Sequence, residues 1–279
     1  MKVSGQAMVA GVIGRPVRHS LSPRLHGAWI EALGLDALYA PFEPSEGGFA
    51  RLVEGLRAGG VRGVNVTLPF KEEALCLADI RSEAAEAAGA ANVLVFRSDG
   101  GLEADNTDGI GLIQAFAEQA PAVDLTAGPV VLLGAGGAAR GALAALKSVG
   151  VRELRIVNRT VGRAEGLAAQ FGARAFGLDR TAEAFVGAVA VIHSTSAGLA
   201  DDAAVGWPVE VLPVGAAVMD MVYKPLITPL LARARAHGLA AVDGLAMLIG
   251  QARPSFEAFY GMAPPAETDV RTRLLEVLA

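Results

Sequence analysis

One glycine-rich segment constrains the fold of this chain more than any other part of the sequence. The apolar run 130–133 leads directly into Gly134-Ala135-Gly136-Gly137-Ala138-Ala139, which has the spacing Gly-x-Gly-x-x-Ala. Between a strand and a helix, such glycines permit a tight turn and turn the free N–H groups of the helix toward a pyrophosphate. The segment therefore predicts a dinucleotide-binding domain. The alternative is a glycine turn that serves only helix–strand packing.

The end of the next predicted strand indicates which dinucleotide is bound. The strand 154–158 is followed by Arg159 and Thr160, with Arg163 one helical turn further on. NAD-binding domains commonly place a carboxylate here to accept hydrogen bonds from the ribose hydroxyls, and this segment has none. Guanidinium groups bind phosphate through paired hydrogen bonds, so the segment predicts NADP. The alternative is that Arg159 and Arg163 are only the solvated start of a helix.

Strand-like and helix-like segments alternate along the chain, a pattern that predicts mostly parallel sheets covered by helices. The loop-like segment 120–128 separates two such series and favours two domains. The predicted strands are 8–14, 37–42, 63–68, 91–97, 129–133, 154–158, 190–194 and 216–221. The predicted helices are 23–33, 49–58, 83–88, 109–118, 138–149, 163–171, 245–260 and 267–278. Ser22 and Asp108 are expected to cap two of them.

Composition and charge exclude several kinds of partner. The net charge is −5 without a block of Lys or Arg, so nothing predicts binding to nucleic acid or to an anionic membrane. The single cysteine, Cys76, excludes an intrachain disulfide, and the absence of a His-x-x-x-His pair argues against a metal site. The apolar run 8–13 is too short for a signal sequence or a membrane span. We expect a soluble, cytoplasmic protein.

Eight motifs, taken in order along the chain, are more informative together than singly. They are Ser20-Leu21-Ser22-Pro23, Asn65 to Lys71, Ala90-Ala91-Asn92, Asn106-Thr107-Asp108-Gly109, Gly134 to Arg140, Asn158-Arg159-Thr160, Asp220-Met221-Val222-Tyr223, and Asp243-Gly244 through Gln251. In this order the chain resembles the shikimate dehydrogenase family over nearly its whole length. Taken singly, several of these residues are explained as helix caps or strand-edge residues.

The resemblance implies a two-domain α/β fold and a reaction. An N-terminal α/β substrate-binding and catalytic domain is expected at 1–108 and a Rossmann-type doubly wound NADP domain at 109–242, with C-terminal helices at 243–279 that pack back on the first domain. The implied reaction is the reversible reduction of 3-dehydroshikimate to shikimate with NADPH, without a metal, in chorismate and aromatic amino acid biosynthesis. The enzyme is expected to be a monomer or a homodimer.

The resemblance assigns catalysis to Lys71 and Asp108. Hydride transfer to a ketone creates an alkoxide, and a positioned lysine ammonium group can stabilise that charge and supply the proton. Asp108 would orient Lys71 and favour its charged form. Without the resemblance, Lys71 would be interpreted as a surface residue in the run Lys71-Glu72-Glu73.

The same resemblance implies the residues that bind the two ligands. Ser20 and Ser22 match positions that hold the substrate carboxylate, and two serines are more similar to shikimate enzymes than to quinate-preferring relatives. The substrate-binding residues implied are Ser20, Ser22, Thr67, Lys71, Asn92, Asp108, Tyr223 and Gln251. The NADP-binding residues implied are Gly134, Ala135, Gly136, Gly137, Ala138, Asn158, Arg159, Thr160, Arg163, Thr195, Met221, Gly244 and Met247.

Two features leave alternatives open. Where the family often has Asn-x-Thr, this chain has His193-Ser194-Thr195, so the local cofactor contacts are in doubt. His26 is interpreted as a local hydrogen-bonding residue near a helix start.

One alternative function is a paralogue that acts on quinate or an aminoshikimate-like analogue. Another is a non-catalytic NADP-binding regulatory module, although simple binding would need neither Lys71 nor Asp108.

Overall fold

A computed structural model describes residues 3–195 and 206–278 of the chain. The strands in these ranges are β1 (Met8–Ile13), β2 (Ala37–Phe42), β3 (Gly63–Val66), β4 (Ile80–Arg81), β5 (Val93–Phe96), β6 (Leu102–Asp105), β7 (Val130–Leu133), β8 (Leu154–Val157), β9 (Arg174–Phe176), β10 (Ala190–His193), β11 (Ala217–Asp220) and β12 (Ala240–Asp243). The helices are α1 (Ser22–Ala32), α2 (Phe49–Ala58), α3 (Lys71–Leu77), α4 (Glu83–Ala88), α5 (Asp108–Gln119), α6 (Gly137–Ser148), α7 (Val161–Phe171), α8 (Thr181–Phe185), α9 (Pro229–Ala236), α10 (Gly244–Tyr260) and α11 (Val270–Leu278).

The chain divides into two compact units. The first unit contains the described residues up to Thr107 together with Gln251–Val277, and the second unit contains Asp108–Gly250. The C-terminal residues Gln251–Val277, which include the end of α10 and nearly all of α11, belong to the first unit. There the Tyr260 hydroxyl donates to the Leu38 carbonyl at 3.0 Å, and Arg273 of α11 pairs with Glu31 of α1 at 2.8 Å.

The first unit is built on a six-stranded sheet with the order β2-β1-β3-β5-β6-β4. β1 runs parallel to β2 and β3, whereas β5 runs antiparallel to both β3 and β6. The short segment 97–101 between β5 and β6 leaves no room for a crossover, so these strands form a hairpin. β4 runs parallel to β6, so β5 runs opposite to the other strands of a sheet that is mostly parallel, as expected.

The second unit has a sheet in which all strand pairs are parallel, with the order β12-β11-β10-β7-β8-β9. Counted within the unit, this is the strand order of the doubly wound Rossmann fold. Val130 and Leu132 of β7 pack into one apolar cluster, and Val131 and Leu133 pack into the other. Burial on both faces explains why β7 is a continuous apolar run. The predicted α/β fold class is confirmed.

Two helix starts differ from the expected capping. Leu21 occupies the cap position of α1 and already has helical backbone angles, so Ser22 begins the helix and does not cap it. Asp108 likewise lies in the first turn of α5. In the part of the chain that the structure describes, no helix combines the length and apolar character needed to cross a membrane.

Candidate active site

Strand direction brings the predicted substrate residues of the first unit to one edge of its sheet. The carboxyl ends of β1, β3 and β6 lie at the same edge as the amino end of β5, because β5 runs opposite to these strands. Ser20 lies in the connection from β1 to α1 and Ser22 begins α1, while Thr67 follows β3 and Asn92 precedes β5. A Cβ on Gly14 would lie 2.4 Å from Thr67 Cγ2, so glycine there permits the Thr67 side chain to pack beside β1.

Asn92 and Gln251 form the centre of a buried hydrogen-bond network. Asn92 Nδ2 donates to Gln251 Oε1 at 3.2 Å and to Thr107 Oγ1 at 3.0 Å. The Thr107 backbone N–H donates to Asn92 Oδ1 at 2.8 Å, and its hydroxyl donates to the Gln251 carbonyl at 3.0 Å. The three residues are at most 9% exposed. Two predicted substrate residues that lie far apart in sequence thus share one rigid arrangement.

The network continues from Asn92 toward α1. Asn65 Nδ2 donates to the Asn92 carbonyl at 3.3 Å, and the Tyr39 hydroxyl donates to Asn65 Oδ1 at 2.6 Å. Burial raises the pKa of Tyr39 well above its ordinary value, as does the nearby Tyr260, while a hydrogen bond with Ser22 opposes that rise. Tyr39 is therefore a neutral phenol that connects Ser22 to Asn65.

The two residues predicted to be catalytic are both buried. Lys71 begins α3 and is 8% exposed, and its carbonyl accepts a hydrogen bond from the Ala91 N–H at 2.8 Å, next to Asn92. Asp108 is the first residue of α5 in the second unit and is 5% exposed. Burial excludes the interpretation of Lys71 as a surface residue. The pairing of Lys71 with Asp108 remains a prediction, as does the substrate role of Tyr223, which lies partly buried just after β11.

The glycine segment of the second unit forms a turn between β7 and α6. Gly134 has a φ of +112°, and a Cβ there would lie 2.7 Å from Thr195 Cγ2. Gly136 precedes α6 in an extended conformation, is exposed, and would have no atom within 4 Å of a Cβ. The cap residue Gly136 has no side chain that could accept a hydrogen bond from this helix start. Its N-terminal N–H groups and the open space at Gly136 therefore fit a pyrophosphate.

The segment after β8 carries the predicted nucleotide-selecting residues. Asn158 Nδ2 donates to the Thr160 carbonyl at 2.9 Å, which orders the turn into α7. Arg159, Thr160 and Arg163 are exposed. Neither guanidinium group forms a hydrogen bond or ion pair with the described residues. Cationic donors that make no ion pair with the described residues fit a ribose 2′-phosphate.

His193 lies beside the glycine turn in a buried hydrogen-bonded row. Its Nδ1 is 3.1 Å from Asp220 Oδ1, and its Nε2 is 2.7 Å from Thr195 Oγ1. His193 and Asp220 are both 0% exposed. The row holds Thr195 against Gly134. His193 is thus an interior residue with both ring nitrogens in hydrogen-bond contact with neighbouring side chains.

Two further predicted cofactor residues lie close together in the second unit. A Cβ on Gly244 would be 2.3 Å from the Met221 carbonyl oxygen, so only glycine permits this approach of α10 to the end of β11. Met247, one turn further along α10, belongs to the apolar core and is 7% exposed. Core packing is enough to explain a methionine at this position, whether or not a ligand binds there. Its cofactor role therefore remains a prediction.

Sequence reasoning missed several residues that organise the site. Tyr39 carried no signal of its own, and Thr107 was noticed only as part of Asn106-Thr107-Asp108-Gly109. Asp220 was noticed only as part of a motif, and its partner His193 was treated as a departure from the family pattern. Among the described residues, no group of three or more His, Cys, Asp or Glu side chains could hold a metal ion.

These features define a class of protein: a two-domain α/β protein with a dinucleotide-binding domain and a separate domain that carries buried polar groups. The sequence also matches known family models. Residues 12–94 match the shikimate dehydrogenase substrate binding domain, and residues 116–200 match the shikimate/quinate 5-dehydrogenase model.

Known relatives match along the whole chain. A shikimate dehydrogenase (NADP(+)) from Caulobacter vibrioides is 53% identical over 99% of this chain and 98% of that protein. The crystal structure of shikimate 5-dehydrogenase from Thermus thermophilus in complex with NADP(H) and shikimate has a TM-score of 0.85 at 35% identity, covering 98% of this chain and 100% of that one. A quinate dehydrogenase from Corynebacterium glutamicum in complex with NAD has a TM-score of 0.85 at 29% identity, covering 96% and 99%. The chain belongs to the shikimate dehydrogenase family.

Proposed function

We propose that this chain is an NADP-dependent shikimate dehydrogenase, which reversibly reduces 3-dehydroshikimate to shikimate. The observation that carries the proposal is the buried set of hydroxyl and amide groups in the first unit, in a chain that matches an enzyme of that name over 99% of its length. A hydroxylated ring acid needs such a mixture, because a buried polar group left unpaired costs about 1 to 3 kcal/mol.

Lys71 and Asp108 are assigned to the proton transfer. NADPH, when bound, supplies the hydride that adds to the carbonyl carbon. The Lys71 ammonium group donates its proton to the carbonyl oxygen and stabilises the negative charge that develops there. Asp108 is assigned to orient Lys71 for this transfer. In the reverse direction, the neutral Lys71 amine takes the proton from the substrate hydroxyl.

The remaining residues of the first unit hold the substrate. Ser20 and Ser22 donate to the carboxylate, while Thr67, Asn92 and Gln251 bond the ring hydroxyls. Ser22, Asn92 and Gln251 are at most 9% exposed, so little water competes for them. Tyr223 of the second unit is assigned to the substrate as well.

NADP is assigned to the second unit. Gly134 through Ala138 and the start of α6 bind the pyrophosphate, and Asn158, Arg159, Thr160 and Arg163 surround the 2′-phosphate. Thr195, Met221, Gly244 and Met247 are assigned to the nicotinamide half. The shape of the glycine turn supports this placement, as do the Arg159 and Arg163 guanidinium groups, which make no hydrogen bond or ion pair with the described residues.

The test is the reduction of NADP⁺, followed by the absorbance of the reduced nicotinamide, with shikimate and quinate as separate substrates. We expect turnover with shikimate and NADP⁺, and much slower turnover with quinate or with NAD⁺. A preference for quinate would indicate the paralogue, and no turnover with either would contradict the proposal. A monomeric or homodimeric state and a cytoplasmic location also remain predictions from the sequence.

A further inference from the structure

We propose that His193 is a positioning residue of the cofactor site. It accepts the proton of the Thr195 hydroxyl, so that the Thr195 oxygen is left as an acceptor toward the cofactor. The group that this oxygen binds is therefore an N–H or O–H donor of the nucleotide and not a phosphate oxygen. This inference rests on the proposed function, because it concerns how the same cofactor is bound.

Asp220 determines which ring nitrogen of His193 carries a proton. Asp220 Oδ1 accepts a hydrogen bond from the Val222 backbone N–H at 3.0 Å and lies 3.1 Å from His193 Nδ1. Because Oδ1 is an acceptor, the proton in its contact with the ring comes from Nδ1. His193 and Asp220 are both 0% exposed, so bulk water does not compete for this contact.

The other ring nitrogen of His193 is then the acceptor. In a neutral imidazole one nitrogen donates and the other accepts. His193 Nε2 lies 2.7 Å from Thr195 Oγ1, so the single proton of the Thr195 hydroxyl points at Nε2. The lone pairs of the Thr195 oxygen remain, and both accept. Thr195 is half-buried beside the glycine turn, so a ligand bound at that turn meets an acceptor at this position.

Two side-chain contacts set the rotamer of Thr195. A Cβ on Gly134 would lie 2.7 Å from Thr195 Cγ2, so the methyl group packs on the glycine turn while the hydroxyl meets His193. Rotation about χ1 of a threonine moves both branches at once, so another rotamer would lose both contacts. The hydroxyl contact depends on side-chain atoms alone, and substitutions at His193 or Thr195 can therefore remove it.

The main experiment combines His193→Asn with Thr195→Val. Asparagine places an NH₂ group where Nδ1 stands, which retains a donor to Asp220, but it has no atom at the place of Nε2. We expect each substitution to raise the Kd for NADP⁺ roughly three- to tenfold, the loss of about one hydrogen bond. Titration calorimetry without shikimate measures this change. In the Thr195→Val background, His193→Asn should add less than about twofold, because the contact is already lost.

A merely structural role of His193 would give a different result. His193→Asn would then weaken NADP⁺ binding by the same factor with Thr195 and with Thr195→Val, which would overturn the inference.

The protonated nitrogen is identified by long-range proton–nitrogen NMR spectra of the imidazole rings, in which His193→Asn assigns the His193 signals. We expect the proton on Nδ1 in the wild type. In Thr195→Val the Nε2 signal should shift, because the hydroxyl proton is gone, whereas the signals of His26 in the first unit should stay in place. A proton on Nε2, or an Nε2 signal unchanged by Thr195→Val, would overturn the inference.

Thr228→Val is the matched control for the loss of a threonine hydroxyl. Thr228 is 1% exposed, and its hydroxyl accepts from the Leu231 N–H at 3.3 Å, where it caps α9 in the second unit. Losing this cap should lower the melting temperature and leave the Kd for NADP⁺ unchanged. An equal rise of the Kd in Thr228→Val and Thr195→Val would overturn the inference.

An NADP⁺ analogue distinguishes the two possible donors in the nicotinamide half. In the 3-acetylpyridine analogue, a methyl group replaces the NH₂ of the carboxamide. If Thr195 accepts from the carboxamide, Thr195→Val weakens binding of NADP⁺ and not of the analogue. If it accepts from a ribose hydroxyl, Thr195→Val weakens binding of both equally. Either result supports the inference, whereas wild-type binding of NADP⁺ by Thr195→Val would overturn it.

The failure of this inference can be told apart from the failure of the proposed function. If the wild-type protein does not bind NADP⁺, the proposed function is wrong. If the wild type binds NADP⁺ and the outcomes above contradict the contact, only the positioning role is wrong. Should His193→Asn not fold, Thr195→Ser is compared with Thr195→Val. Serine keeps the hydroxyl and should keep the Kd within about twofold of the wild type, and a loss equal to that in Thr195→Val would overturn the inference.

Discussion

The two units prepare their binding groups in opposite ways. In the first unit, Asn92, Thr107 and Gln251 are buried and hydrogen-bonded to one another. In the second unit, Gly136 and Arg159 are exposed, and the Arg159 guanidinium group makes no hydrogen bond with the described residues. The residues assigned to the substrate are thus part of the protein interior, whereas those assigned to the cofactor lie at an open turn. Substitutions of these buried residues should change stability and binding together, and substitutions of the exposed residues Gly136 and Arg159 should change binding alone.

The largest effect is expected at Lys71, which tests whether the buried groups of the first unit also perform chemistry. In Lys71→Ala the proton donor is lost, and we expect kcat to fall by about 100- to 10,000-fold. Steady-state kinetics with shikimate and NADP⁺ measure this change, and the KM for shikimate should change less. Lys147→Ala, at an exposed position in the last turn of α6, is the control. A kcat near that of the control would remove Lys71 from catalysis.

Arg159→Ala tests whether the exposed guanidinium group of Arg159 in the second unit binds the cofactor. Hydrogen bonds to a charged group contribute about 1.5 to 3 kcal/mol, so NADP⁺ affinity should fall roughly 10- to 100-fold. The affinity for NAD⁺ and the melting temperature without ligand should not change. Arg152→Ala is the matched control, because Arg152 is exposed at the other end of β8. Equal losses for NADP⁺ and NAD⁺, measured by titration calorimetry, would argue against a 2′-phosphate contact.

Two alanine substitutions in the glycine turn separate binding from folding. Gly136 has no atom within 4 Å of a Cβ, so Gly136→Ala should leave the ligand-free stability within about 0.5 kcal/mol and weaken NADP⁺ binding about tenfold by blocking the pyrophosphate. Gly134 has a φ of +112° and lies against Thr195, so Gly134→Ala should cost about 1 to 3 kcal/mol of stability. Chemical denaturation and NADP⁺ titration of both variants measure the difference. Equal destabilisation by Gly134→Ala and Gly136→Ala would contradict the interpretation that the turn is open at Gly136.

The fold of the second unit was predictable because its signals are local. A strand buried on both faces followed by the glycine turn appears within the ten residues from 130 to 139. The first unit was less predictable. Strand β6 has the sequence LEAD, in which Leu102 and Ala104 alternate with half-buried charged residues. Four residues are too few for a periodicity argument, and without β6 the hairpin with β5 is not visible.

The site was predictable residue by residue, but its connections were not. The Asn92 and Gln251 amides are hydrogen-bonded across 159 positions of sequence, and no pattern in one sequence reveals such a pair. For His26 the sequence predicts local hydrogen bonds, and the structure shows apolar packing instead. His26 is 0% exposed, and neither ring nitrogen has a hydrogen-bond partner among the described residues. The apolar packing against Trp29 and Tyr39 that replaces those bonds depends on the tertiary structure.

The smallest expected effect concerns His26 and sharpens the idea of a closed interior in the first unit. Burial lowers the pKa of His26 from 6.5 to about 3. Below pH 6.5 the unfolded chain binds a proton that the folded protein does not, so stability falls with pH down to about pH 3, by at most about 1.4 kcal/mol per unit. His26→Phe and His26→Leu remove this contribution. Relative to the wild type, both should gain about 2 kcal/mol of unfolding free energy between pH 7 and pH 5.

Urea denaturation across this pH range distinguishes the two ways in which the variants can change stability. Phe keeps an aromatic ring against Tyr39 and Leu does not, so the two variants should differ from each other by a constant amount at every pH. The change with pH should be the same in both, because it depends only on the missing imidazole. If the unfolding free energies of the variants, plotted against pH, run parallel to that of the wild type, then His26 takes up its proton in the folded protein. The interior of the first unit would then be as open to water as the glycine turn.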